Sequence, residues 1–244
     1  PQTPVEPATN NPPLAAQDYT PELLVEPTMP VIYGANDWEV RDEVRKENPV
    51  DAEFLNVFND FGYETSAKVL ADAKANRNFS PISLYYALAI TANGADGETY
   101  TQMSELLGLT DKESISTQGG NLFRLLYTQN DITKLKLANS LWLREGFKVN
   151  DDFVKNAVSK FYAWVYMADF ANAGASKAVS KWIAANTEGT IEPEITLEKD
   201  TMMLIINTIY FYDEWQEAFA KEQTAKDKFF IAGGGEVEAD FMHK

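Results

Sequence analysis

Helical periodicity dominates the chain from about residue 50 to residue 126, and a two-residue alternation first appears at Lys134. Phe54, Val57, Phe58, Phe61 and then Val69 and Leu70 form one broad helical stripe, with Asp51 placed to favour the helix N-terminus. Ser80 suits an N-cap and Pro81 a first helical turn. Residues 81–93 are apolar all round, which predicts a helix running through the middle of the protein and ending at Asn93-Gly94. Asp96 opens the next helix, with Tyr100, Met103, Leu106 and Leu107 expected inward and Gly108 as the stop. A fourth helix carries Ile115, Gly119, Leu122 and Leu126 on one face.

In residues 134–143 the period becomes two. Leu135, Leu137, Asn139, Leu141 and Leu143 share one face, and Lys136, Ala138, Ser140 and Trp142 the other, which predicts a strand. A helix over residues 151–162, a strand over 164–170 and a helix over 175–186 with Val179, Trp182 and Ile183 inward follow. Residues 201–211 are apolar on both faces, as a central strand covered on both sides would be. Residues 228–231 and 236–242 read as a hairpin across Gly233-Gly234-Gly235. Helices first, then strands with interposed helices, predict an α+β fold.

The opening stretch is different. It is proline-rich with little apolar surface to bury, and residues 1–48 are expected to form an acidic, disordered spacer ahead of a domain over residues 49–244. A formal charge of −16 disfavours nucleic-acid and anionic-membrane partners. No apolar run is long enough for a membrane-spanning helix. With no cysteine and one histidine, His243, the chain offers neither disulfides nor a plausible metal site. Ser80 and Ser83 lack a nearby base in the sequence and read as a cap and a buried polar group rather than nucleophiles. Asp151-Asp152 and Asp213-Glu214 could be read as acid/base pairs, but the first has a sufficient role at a helix N-terminus. The glycine triplet precedes no helix that could cradle phosphate, so no cofactor is expected. Trp142, Trp164, Trp182 and Trp215 suit core and sheet packing, with a carbohydrate platform as the other reading. Asn207, alone in an apolar strand, must find partners. It is either a satisfied core group or a latch.

Several local sequences occur in a telling order. Asn78-Phe79-Ser80-Pro81-Ile82-Ser83, Ala95-Asp96-Gly97-Glu98-Thr99 with Leu106-Leu107-Gly108, and Ala138-Asn139-Ser140-Leu141-Trp142-Leu143 come first. Trp182-Ile183 with Thr187-Glu188-Gly189-Thr190-Ile191, Asn207-Thr208-Ile209-Tyr210-Phe211 leading to Trp215 and Phe219, and Met242-His243 complete the set. Together they resemble the serpins, colinearly from about Val50 onward. The proline-rich start and acidic composition are most similar to those of serpins from gut Firmicutes.

The resemblance implies a serpin fold, incomplete at the C-terminus, and inhibition of a serine protease by a loop that is cleaved and then inserted into the main sheet. It also implies that Asn76, Ser80, Ser83 and Asn207 form a "shutter" beneath the central strands, with Asn76 a buried residue, and that Trp215 is the aromatic of the "breach" where insertion starts. The reactive bond is expected in a C-terminal remainder beyond Lys244, itself a partner of this chain. Without it, the strand over 201–211 would lack a neighbour. Departures are Asp213-Glu214 before Trp215, where small and basic residues are usual, and Ser180 where Asn is frequent. Arg124 is read as the only cation of the helix that binds heparin in some relatives, so heparin is not an expected partner. The expected partner is an extracellular serine protease, and the expected location is secreted or cell-surface. A non-inhibitory serpin-fold module is the alternative, and a self-contained scaffold of 244 residues is a third reading.

Overall fold

The computed structural model describes residues 19–109 and 111–243, so the first eighteen residues of the expected spacer lie outside it. Residues 19–48, expected to be disordered, instead carry a strand, β1 (Glu22–Val25), and a helix, α1 (Trp38–Glu47). Four longer helices follow: α2 (Ala52–Leu70), α3 (Pro81–Gly94), α4 (Gly97–Leu107) and α5 (Lys112–Leu126). Ser80 Oγ accepts from the Ser83 amide and Pro81 occupies the first turn of α3, so both N-terminal signals act as expected. Tyr85, Tyr86, Ala89, Ile90 and Ala92 are buried on α3, around whose axis no polar face survives. Gly108 ends α4 at φ +73°, where an added Cβ would come within 2.7 Å of Val57 Cβ. Leu106 and the α2 end residues Val69 and Leu70 were expected inward and are exposed. On α4, Leu107 takes the core position that its neighbour, about 100° around the helix, cannot share.

The sheet comprises β1, β2 (Thr128–Gln129), β3 (Lys134–Arg144), β4 (Ala163–Ala168) and β5 (Met203–Tyr212). Its order is β1-β4-β3-β5, with β2 alongside the start of β3. β3 and β4 are parallel and joined through α6 (Asp151–Phe161), whereas β5 runs antiparallel to β3 along ten paired positions from Lys134↔Tyr212 to Leu143↔Met203. β5 was expected as a central strand that lacks one neighbour without the C-terminal remainder. It has one ladder partner, β3, and its outer edge is unpaired among the described residues.

β3 divides two cores by its alternation. Leu135, Leu137, Leu141 and Leu143 pack into a large core with α3, α5 and α6, while Ala138 and Trp142 face a smaller one with α7 (Ala173–Asn186). Trp142 stacks on Tyr166 at 4.4 Å and Trp164 meets Trp182 edge-on at 6.3 Å, so these aromatics are packing groups. The hairpin β6 (Ala225–Phe230) and β7 (Glu236–Phe241) forms a separate two-stranded sheet whose apolar side chains Phe229, Phe230 and Val237 are exposed. The N-terminal segment is tied to the body at several points. The Asp169 amide donates to the Tyr19 hydroxyl at 2.7 Å, Tyr19 lies directly over Gly174, and β1 pairs with the free edge of β4.

Candidate functional site

The seam between β3 and β5 carries a polar chain that crosses the large core. Asn139 and Asn207 stand opposite each other in register, on the face that both strands turn toward α3. One helical turn inside α3, Ser83 points at them. Its hydroxyl donates to Asn207 Oδ1. Asn207 Nδ2 donates to Asn139 Oδ1 at 2.7 Å, and Asn139 Nδ2 donates to the Phe161 carbonyl at 2.6 Å. Phe161 is the last residue of α6, where carbonyls have no partner within the helix, so the chain ends on an acceptor that needs one. Asn139 is wholly buried. Every member is matched in direction, donor to acceptor, across a helix, two strands and a second helix end.

Such a chain closes the seam without covalent cost to opening. Amides and a hydroxyl can exchange partners by rotation, whereas a hydrophobic pair at the same place would only separate. It offers no acid/base chemistry, because Ser83 donates to an amide oxygen rather than to a base. His243 is exposed and takes no part in it. Beside the chain, Tyr86 donates its hydroxyl to the Gly119 carbonyl at 3.0 Å, and burial pushes its phenol well above the ordinary range, so it stays a neutral donor.

The expected site residues separate. Ser83 and Asn207 are joined directly, and Ser80 stands one turn away as the helix cap. Asn76 is exposed rather than buried, in the turn ahead of α3, and joins none of these bonds. Trp215 is 69% exposed and meets Phe219 edge-on at 5.5 Å, away from the seam. Asp213 accepts from Thr133 Oγ1 at 3.0 Å, and Ser180 Oγ donates to the Pro193 carbonyl at 2.5 Å, tying α7 to the loop after it. Asn139 and the Phe161 carbonyl were not among the expected site groups. The signal for Asn139 was its place in a row of four leucines.

A second expectation needs correction. α5 begins at Lys112, so it carries two cations rather than Arg124 alone. Lys112 donates to the Ala95 carbonyl at 2.5 Å and Arg124 is engaged by Asn48, Asn121 and Tyr162.

A family model described as "Serpin (serine protease inhibitor)" matches residues 56–244. The chain belongs to the serpin family. Among curated serpins it is 33% identical over 184 residues to putative serpin-Z6C of Oryza sativa subsp. japonica, covering 70% of this chain and 44% of that protein. It is 30% identical over 201 residues to Iripin-2 of Ixodes ricinus, covering 79% and 50%. This serpin chain thus spans about half the length of the curated relatives it matches. Among solved structures, the thermophilic serpin tengpin in its native state superposes with a TM-score of 0.75 at 26% identity, over 92% of this chain and 55% of tengpin. Serpins as a family inhibit serine proteases rather than acting as catalysts, and the α+β architecture here is the serpin fold.

Proposed function

We propose that this serpin chain supplies the sheet, central helix and latch of an inhibitor that traps a serine protease by loop insertion, acting outside the cell or at its surface. The observation that carries the reading is the hydrogen-bonded chain Ser83–Asn207–Asn139–Phe161, which ties the two longest strands of the sheet to each other and to the helices beneath. A sheet that must admit a new strand needs a seam held by bonds that break and re-form locally. The outer edge of β5, unpaired among the described residues, is a second support, since its backbone groups are available to another strand. The extracellular placement rests on the proline-rich, acidic lead segment, read as a spacer ahead of the domain.

In this scheme the protease serine attacks the carbonyl carbon of the scissile bond, the C–N bond breaks and the amine leaves with a proton from the protease histidine. An ester then joins the two proteins while the freed loop enters the sheet. In this reading that loop belongs to the part of the relatives that this chain does not span. The test is incubation of the full-length protein with trypsin-like, chymotrypsin-like and subtilisin-like proteases, followed by denaturing electrophoresis and a thermal melt. A denaturant-stable adduct, with a higher melting temperature after loop cleavage, is expected. Cleavage with neither effect would overturn the reading in favour of a non-inhibitory serpin-fold module.

A further inference from the structure

The end of the polar chain depends on a side chain outside it. Arg124, in the last turn of α5, is half-buried and forms no ion pair among the described residues. Its guanidinium instead donates to three neutral acceptors: Nε to Asn48 Oδ1, Nη1 to the Tyr162 hydroxyl at 2.8 Å and Nη2 to Asn121 Oδ1 at 2.6 Å. Tyr162 is also stacked on Phe123, with ring centroids 4.6 Å apart and planes 17° apart. Its side chain is therefore held by a ring face and by a hydrogen bond at the hydroxyl. Its backbone is left-handed, φ +55°, a conformation that residues with a Cβ adopt rarely.

That backbone angle matters because the peptide between Phe161 and Tyr162 is one rigid plane. Rotating φ of Tyr162 back to the ordinary range turns the Phe161 carbonyl, which is the terminal acceptor of the latch. The next residue, Ala163, is paired in register with Asn139, so the strand cannot follow the rotation without breaking its ladder. Gly120 permits the close approach that brings α5 to this point: a Cβ there would fall 2.9 Å from the Lys160 carbonyl.

We propose that Arg124 is a positioning residue for the latch. By holding Tyr162 left-handed it aims the Phe161 carbonyl at Asn139, and through Asn139 it fixes the amide of Asn207. This rests on the latch assigned under the proposed function, and the readout is independent of inhibition. Hydrogen–deuterium exchange of the full-length protein is followed by mass spectrometry in peptides from Met203–Tyr212, with Gly97–Leu107 as the control helix. Arg124→Ala is expected to speed exchange in β5 about tenfold and in α4 less than about twofold. Glycine adopts positive φ without a side chain to hold it, so in a Tyr162→Gly background Arg124→Ala is expected to add less than about twofold. Should Arg124→Ala not fold, Tyr162→Phe, which removes only the hydroxyl, is expected to speed β5 exchange about threefold. Equal acceleration in both regions, no acceleration, or a full Arg124 effect in the Tyr162→Gly background overturns the proposal. A protein that forms no protease adduct yet shows this pattern would overturn the inhibitory reading alone.

Discussion

Asn139 has leucines at positions two and four residues away on the same strand face, and that company sets its energetic weight. Replacing it with alanine leaves the half-buried Asn207 Nδ2 and the buried Phe161 carbonyl without their partners. The expected loss is about 2–4 kcal/mol, from one cavity and two orphaned groups, measured by urea unfolding. A loss under about 0.5 kcal/mol would show that the chain contributes little. Asn207 was legible as a polar residue in an apolar strand, and Ser83 as a small residue one turn inside a buried helix. Their pairing with Asn139 was not, because Asn207 and Asn139 are 68 positions apart and local pattern carries no register between strands. Asn76 shows the converse. Its motif position is right, but burial depends on what packs over the turn, and nothing among the described residues does.

At the level of elements, the helix ends at Ser80, Asp96 and Gly108 were readable, and α5 adds a cap that had not been expected. Asp111 at the start of α5 accepts from the Ser114 amide at 2.7 Å, and that bond holds its carboxyl below the usual range. Its folded pKa is depressed, so its contribution is fully present above the unfolded value of about 3.9 and is lost as pH falls through the folded one. In thermal melts, the advantage of the native residue over Asp111→Asn is expected at pH 6 and should shrink toward pH 3. An advantage that grew on acidification would contradict the assigned charge state. β1 and α1 were the least readable elements. Glu22–Val25 is four residues without alternation, whose reason to be extended is an edge supplied by β4, about 140 residues later. α1 buries no residue of its own, so it left no apolar stripe to find. Composition marked residues 1–48 as a proline-rich, acidic spacer, but composition does not register the tethering of residues 19–48 by a few specific contacts.

For the molecule as a whole, the succession of periods gave the fold class and the motif order gave the family, while the sheet order stayed hidden because it is a property of long-range pairing. The N-terminal segment follows the same logic. It is fastened at Tyr19 over Gly174, along β4, and again where Asn48 meets Arg124. Gly174→Ala would drive a methyl group into Tyr19, so limited proteolysis is expected to cut near residues 19–25 several-fold faster while the core around Tyr85 and Phe54 stays resistant. Unchanged cleavage would mean that β4 pairing alone fastens the segment.

The alternation of β3 between two cores also fixes the direction in which the sheet can yield. A slip of β5 by one residue would send its core-facing side chains to the opposite side, and a slip by two would set Asn207 against Leu137 or Leu141 with its amide unanswered. Sliding along the strand axis is therefore opposed at both steps, whereas a sideways movement would keep each face with its own layer. The β3–β5 ladder is thus pinned in register, so the outer edge of β5 presents its backbone groups at fixed positions along the strand.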